Sequence, residues 1–271
     1  MKHSNFLTIF IFTRDRPTYL KQLLEYVRLT QRNVNFEIIV SDNSTSLNSR
    51  HDNYLLSNQY SFKYIQHKNI SFENHFYQNL MACNSPWVMF LHDDDLINIA
   101  WLSYAFNESL DRGGMILNCG AIGFNSYTLD SDSGIPDIPN PNKGLFSNLK
   151  ESRFILNRSE FVKSYFSNKV EYMPFPFYIY NVEAIKLHRF NFTYFGKYAD
   201  VDFLSRISES SGVYWDNTPV GYYRFHHGQD SAAYSFIHHF RLMKQCSNHI
   251  SSVAFFIFHQ FKRLLLWILP K

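Results

Sequence analysis

Over the first 120 residues, short apolar runs alternate with segments whose apolar positions recur every three or four residues. That alternation restricts the fold more than any other feature. Residues 6–12 form an apolar run, broken only by Thr8, that predicts a buried strand. In the segment 19–29 that follows, Leu20, Leu23, Leu24 and Val27 share a helical face, and Pro17 sits where it can open the helix. A second strand over 36–40 leads into the turn formers Ser41-Asp42-Asn43-Ser44. A third, over 62–65, precedes a helix with Phe72, Phe76 and Leu80 on one side. A fourth, over 87–91, ends in Asp93-Asp94-Asp95 and is followed by a helix with Ile99, Leu102, Phe106 and Leu110, stopped by Gly113-Gly114. Repeated strand–helix units predict an α/β fold, an open and mostly parallel sheet with helices on both faces. Such sheets bind ligands beyond the carboxyl ends of their strands. The polar clusters at 13–16, 42–44 and 93–95 each follow a strand, so parallel strands would bring all three to one rim.

Beyond residue 113 the rhythm fades. Residues 123–150, with Asp130, Asp132, Pro136, Pro139, Pro141 and Gly144, read as a long irregular loop. Structure is expected to resume near Ser159, and Met173-Pro174-Phe175-Pro176-Phe177-Tyr178 reads as an extended aromatic segment. With 45% apolar and 18% charged residues the chain is not a disordered polyelectrolyte. Cys83, Cys119 and Cys246 are too few and too scattered for a disulfide scaffold or a zinc knuckle, which suggests a reducing compartment. The apolar run at 6–12 lacks a cleavage site and ends in Arg14-Asp15-Arg16, so no export signal is expected. No stretch approaches the ~20 apolar residues of a spanning helix.

Charge divides the chain. Residues 231–271 contain no acid but five of the 26 bases, Arg241, Lys244, Lys262, Arg263 and Lys271; the remaining 21 bases face 23 acids. The body therefore carries no basic stripe for nucleic acid. The tail sets its bases beside Phe255, Phe256, Phe258, Phe261, Leu264 and Trp267. That pairing suits an anionic membrane surface, although an ordinary packed amphipathic helix has the same pattern. Three stretches follow: 1–112 as a ligand-binding half of the sheet domain, 113–235 as its second half, and 236–271 as a basic amphipathic tail.

The acidic triplet carries the clearest chemistry. In an extended segment Asp93 and Asp95 would point one way and Asp94 the other. Paired carboxylates suit Mg²⁺ or Mn²⁺, which complete their shells with phosphate oxygen and water. A solvated acidic turn at the start of the next helix is the plainer alternative. Asp130-Ser131-Asp132 repeats the spacing within a proline-rich stretch rather than after a strand, and reads as a decoy.

Four ordered pieces carry a family resemblance. Leu7-Thr8-Ile9-Phe10-Ile11-Phe12-Thr13-Arg14-Asp15-Arg16-Pro17 looks like an apolar strand ending in T-Y-N-R-P. Glu37-Ile38-Ile39-Val40-Ser41-Asp42-Asn43-Ser44 is similar to E-I-I-V-V-D-D-G-S. Residues 69–79 track an N-x-G…N segment, and Val88-Met89-Phe90-Leu91-His92-Asp93-Asp94-Asp95 looks like a D-x-D strand. Together they resemble glycosyltransferase family 2, inverting enzymes of GT-A (Rossmann-like) fold that use nucleotide-sugars. The resemblance implies that Thr13, Asp15, Arg16 and Asp42 line the nucleotide pocket, with Asp93 and Asp94 on the nucleotide-sugar and Asp95 on the metal. Tyr198-Ala199-Asp200-Val201-Asp202-Phe203-Leu204-Ser205-Arg206 is similar to E-D-x-D-L-x-x-R, where the family keeps its catalytic base. Alignment gives that role to Asp200. Asp202, about 200° away around a helix, is the rival, since only one of them can reach a cleft. Arg224 and His226 match an R-x-H segment, Arg224 for the diphosphate and His226 for the metal.

The implied protein is a metal-dependent inverting glycosyltransferase. It would use Mn²⁺ or Mg²⁺ and pass a sugar from a nucleotide-sugar to a glycan or lipid-linked glycan, with the segment 173–180 and the irregular loop forming the acceptor wall. The tail would place it peripherally on the cytoplasmic face of a bacterial membrane, in O-antigen or capsule assembly. A sugar nucleotidyltransferase would want a glycine-rich loop after the first strand, and residues 13–19 contain no glycine. A catalytically degenerate glycan-binding or scaffold domain is the non-enzymatic alternative.

Overall fold

The computed structural model describes residues 6–31, 36–130, 134–136, 152–167, 175–225 and 236–245. In chain order these form β1 (Leu7–Thr13), α1 (Pro17–Thr30), β2 (Glu37–Asp42), α2 (Leu47–Gln59), β3 (Lys63–Gln66), α3 (Phe72–Ala82), β4 (Trp87–His92), β5 (Leu96–Ile97) and α4 (Ile99–Asp111). There follow β6 (Ala121–Asp130), β7 (Arg153–Ile155), α5 (Arg158–Ser167), β8 (Tyr178–Asn181), α6 (Val182–Ile185), α7 (Phe192–Phe195), α8 (Ala199–Ser210), β9 (Val213–Phe225) and α9 (Phe236–Gln245).

One nine-stranded sheet runs β3-β2-β1-β4-β8-β6-β9-β5, with β7 also on β9. The first four strands pair in parallel, as the alternation predicts. The sheet then continues with mixed pairing: β8 lies antiparallel between β4 and β6, and β6 runs parallel to β9. The period of two sorts β1 onto two faces. Phe10 and Phe12 enter one core with Phe76, Phe161 and Leu204, while Leu7, Ile9 and Ile11 enter the other with Leu20, Leu24, Leu102 and Phe106. Helices α3, α5 and α8 therefore cover one face, and α1 and α4 the other.

Three elements depart from the sequence reading. Helix α2 was not apparent because it is largely polar and buries only Asn53 and Ser57; the Ser46 hydroxyl at its start accepts from Ser49 N. Residues 121–130 are a strand rather than the start of an irregular loop. Register shifts after Phe124 and after Asn125 interrupt the alternation that would have revealed it. The aromatic segment is core, not acceptor wall: Phe175, Phe177, Tyr178 and Tyr180 are all buried, because β8 fills the centre of the sheet. The decoy Asp132, together with Cys246, falls outside the described residues; Cys83 and Cys119 are free thiols in the interior. Among the described residues no helix is long and apolar enough to cross a membrane.

Candidate active site

The ends of β1, β2 and β4 meet as parallel pairing requires. Phe12 O accepts from Asp93 N at 3.0 Å, and Thr13 O accepts from Asn43 N at 2.9 Å. Thr13 Oγ1 donates to Asp93 Oδ2 at 2.7 Å. Arg16 spans two carboxylates, with Nη2 2.5 Å from Asp93 and Nη1 2.9 Å from Asp94. All three predicted clusters thus form one connected rim.

Asp42 is turned into the interior, and Asp15, though exposed, is tied to the loop after β2. Asp15 adopts a left-handed φ of 56°, and its carboxylate accepts from the amides of Thr45 and Ser46 and from the Thr45 hydroxyl at 2.6 Å. Burial pulls this carboxyl upward, but the hydrogen bonds from Thr45 and Ser46 outweigh it and leave it below its ordinary value. Asp42 is buried, taking Ser44 N at 2.7 Å, Asn53 Nδ2 at 3.0 Å and Tyr64 OH at 2.8 Å. Both shape the loops of the pocket. Beneath them the Ser41 hydroxyl meets His67, His75 and Asn79 in a buried polar cluster that sequence reasoning did not anticipate.

Strand β4 ends at His92, and residues 93–95 turn instead of extending. The expected pairing of Asp93 with Asp95 is corrected accordingly. Asp93 faces Thr13 and Arg16, whereas Asp94 and Asp95 converge with His92, their ligand atoms all within 4.8 Å of one another. Two oxygens and an imidazole nitrogen make a donor set suited to a divalent cation. His92 packs against the rings of Phe175 (5.2 Å) and Phe72 (6.4 Å). Its signal was present: it shares the face of Val88 and Phe90 at the last position before the acids.

Crowded carboxylates resist ionisation. Burial pushes Asp93 up to about 7, with Arg16 opposing and Asp94 adding. Burial and the like charges of Asp94 and Asp93 hold Asp95 well above the usual range, against the bond from Arg224 N.

Arg224 braces this turn from β9. Its amide donates to Asp95 Oδ1 at 3.1 Å, its Nε to Asp94 O at 2.8 Å and its Nη2 to Gln22 at 2.9 Å. The guanidinium also lies 5.3 Å from the Tyr19 ring. Side chain and backbone thus grip the acidic turn, where the resemblance assigned Arg224 to the diphosphate. His226 lies outside the described residues.

The two acids of α8 separate cleanly. Asp202 is buried and bound by Arg158 and by Arg206 Nε at 2.9 Å. Asp200 is half-buried, and its Oδ1 accepts from Val201 N at 2.8 Å. Desolvation pushes Asp200 up to about 7 against that bond. A carboxyl poised near neutrality can take up a proton; one locked between two guanidinium groups is a structural anion.

Residues 8–166 match the family described as Glycosyl transferase family 2, and the chain belongs to that family. Solved structures share its fold. Staphylococcus aureus TarS 1-349 in complex with UDP-GlcNAc gives a TM-score of 0.59 at 16% identity, covering 89% of this chain and 65% of that one. Glucosyl-3-phosphoglycerate synthase from Mycobacterium tuberculosis, with Mn²⁺, UDP and glucosyl-3-phosphoglycerate, gives 0.57 at 12% identity, covering 90% and 81%. The mannosyltransferase PcManGT from Pyrobaculum calidifontis, with GDP-Man and Mn²⁺, gives 0.56 at 10% identity, covering 84% and 59%. Against a longer TarS chain, this chain spans 38% of the length. No curated protein sequence matches it.

Proposed function

We propose that the chain is a metal-dependent inverting glycosyltransferase that moves a sugar from a nucleotide-sugar to a hydroxyl of a glycan. The observation that carries this reading is the convergence of His92, Asp94 and Asp95 on the sheet's carboxyl rim. These residues would hold Mn²⁺ or Mg²⁺, which supplies charge neutralisation for the departing diphosphate. Arg16 and Arg224 orient the acidic turn, while Thr13, Asp15 and Asp42 shape the nucleoside end. Asp200 accepts the acceptor's proton as that oxygen attacks the anomeric carbon from the face opposite the diphosphate, so the configuration inverts. The half 1–112 serves the donor, and 113–235 supplies the base and meets the acceptor. The nucleotide-sugar and metal complexes of the structurally similar proteins support this choice of ligand.

The tail reading extends to α9. Phe236, Ile237 and Phe240 lie on its exposed side, with Arg241 and Lys244 on the same helix. This is chemistry for an anionic leaflet, and it continues in the composition of the basic, acid-free remainder. A lipid-linked acceptor at the cytoplasmic face of a bacterial membrane, as in O-antigen or capsule assembly, fits that placement.

Two measurements test this. A thermal-shift panel of nucleoside diphosphates with and without Mn²⁺ should show one base giving a large metal-dependent shift, lost in Asp95→Ala; a shift unaffected by that substitution refutes the metal assignment. Deleting residues 236–271 should abolish co-sedimentation with anionic vesicles, and unchanged sedimentation overturns the membrane role.

A further inference from the structure

On the flank of α8 away from Asp200 lies a pocket of about 360 Å³ lined by Arg158, Arg189, Arg206, Asp202, Phe190 and Phe195. Its volume falls in the range of small-molecule sites, ~300–1,000 Å³. Three arginines line it from three segments: the start of α5, the link before α7, and α8. Their shared acid is Asp202, which binds Arg158 through one oxygen and Arg206 through the other. One carboxylate needs one countercharge, so the lining retains an excess of two positive charges.

The arginines are also fixed in place. Arg158 Nε donates to Ser205 Oγ at 3.2 Å, and Arg206 donates to Arg189 O. Arg189 lies over the Tyr77 ring at 4.1 Å and donates to the carbonyls of Lys186 and His188. The Tyr77 hydroxyl locks the same link, donating to His188 O at 2.9 Å and accepting from Phe190 N at 3.2 Å. Such preorganisation lowers the entropy cost of gripping an anion. A structural ion pair would require Arg158, Asp202 and Arg206 alone. It does not account for the cavity or for the excess of positive charge around it.

We propose that this pocket binds an anionic group, a phosphate or carboxylate, carried by the acceptor glycan. The assignment to acceptor rests on the glycosyltransferase reading, because Asp200 and Asp202 share the first turn of α8. An anion seated there would anchor one end of an acceptor long enough to pass around this turn to Asp200. The preferred substrates are then phosphate-bearing or acidic glycans rather than neutral ones.

The test titrates the full chain with inorganic phosphate in EDTA, which keeps cations from the acidic rim. Wild-type protein should bind phosphate saturably. Arg189→Gln and Arg158→Gln should each weaken it at least about tenfold, as the loss of a charge-assisted contact implies. Arg189 is exposed, so its variant should lower the unfolding midpoint by no more than the loss of its Tyr77 contact implies and remain folded. No phosphate binding, or binding unchanged in both variants, overturns the site. In transfer assays phosphate should compete with a phosphate-bearing oligosaccharide acceptor and leave turnover of a neutral one unaffected; absence of competition overturns the acceptor role. Failure of every nucleotide-sugar to be hydrolysed would instead refute glycosyl transfer and leave the phosphate result standing.

Discussion

Asp200 and Asp202 differ by two positions and by everything that surrounds them. Asp200, pushed up to about 7, is half protonated near neutrality. Transfer should therefore rise with pH and level off above about 7, a profile read directly from initial rates. Because the folded state holds this proton where an ordinary carboxyl, near 3.8, has lost it, stability present at low pH is given up as pH rises from about 4 to about 7. Asp200→Asn should thus lose ~10²–10⁴-fold in transfer while melting ~2–4 °C higher than wild type at pH 8, with little difference at pH 4. Asp202→Asn should do the reverse, losing about 1–3 kcal/mol of stability as Arg158 and Arg206 lose their shared anion. If Asp202→Asn alone abolishes transfer in a fully folded protein, the assignment of the base fails. His92 offers a spectroscopic check. With Mn²⁺ bound, pulsed electron resonance should show a directly coordinated imidazole nitrogen that disappears in His92→Ala, with metal affinity falling about 10-fold or more. A nitrogen signal that persists in the variant points to another ligand.

At the scale of elements, the acidic turn depends on the short pairing of β5 with β9. Gly221 sits opposite Ile97, and a Cβ there would lie 2.1 Å from Leu96 O. Gly221→Ala should therefore part the two strands and shift Asp95 away from Arg224 N. The expected cost is ~1–3 kcal/mol in denaturant titration, with weaker Mn²⁺ binding by calorimetry; unchanged Mn²⁺ affinity would show that the brace is dispensable. The elements that sequence pattern revealed were those with unbroken periods, such as β1, α1 and α4, where burial on one face or both writes itself into residue type. Helix α2 escaped because its stability comes from a serine cap and from contacts of Asn53 and Ser57 rather than an apolar stripe. Strand β6 escaped because its irregularities break the alternation. At the site, the rim was legible since parallel strands must align their ends. Which way each acid points was not, because a turn after β4 replaced the extended geometry. The loop-shaping roles of Asp15 and Asp42 depend on partners at Thr45, Asn53 and Tyr64, which no local pattern identifies.

Across the whole molecule, the family match ends at residue 166, yet the candidate base and the arginine that braces the cation site both lie beyond it. The bond from Arg224 to Asp95 joins positions 129 residues apart. A chain emerging from the ribosome can assemble β1 to β4 and their covering helices long before β9 exists, but its acidic turn then lacks the backbone donor that fixes Asp95. A fragment of residues 1–167 should consequently show helical and strand signals while binding Mn²⁺ far more weakly than the full chain, and equal affinity would contradict this. Synthesis thereby sets an order of events: the backbone donor to Asp95 arrives only once nearly the whole sheet has been translated, so on the proposed reading an unfinished chain would neither sequester metal nor spend donor.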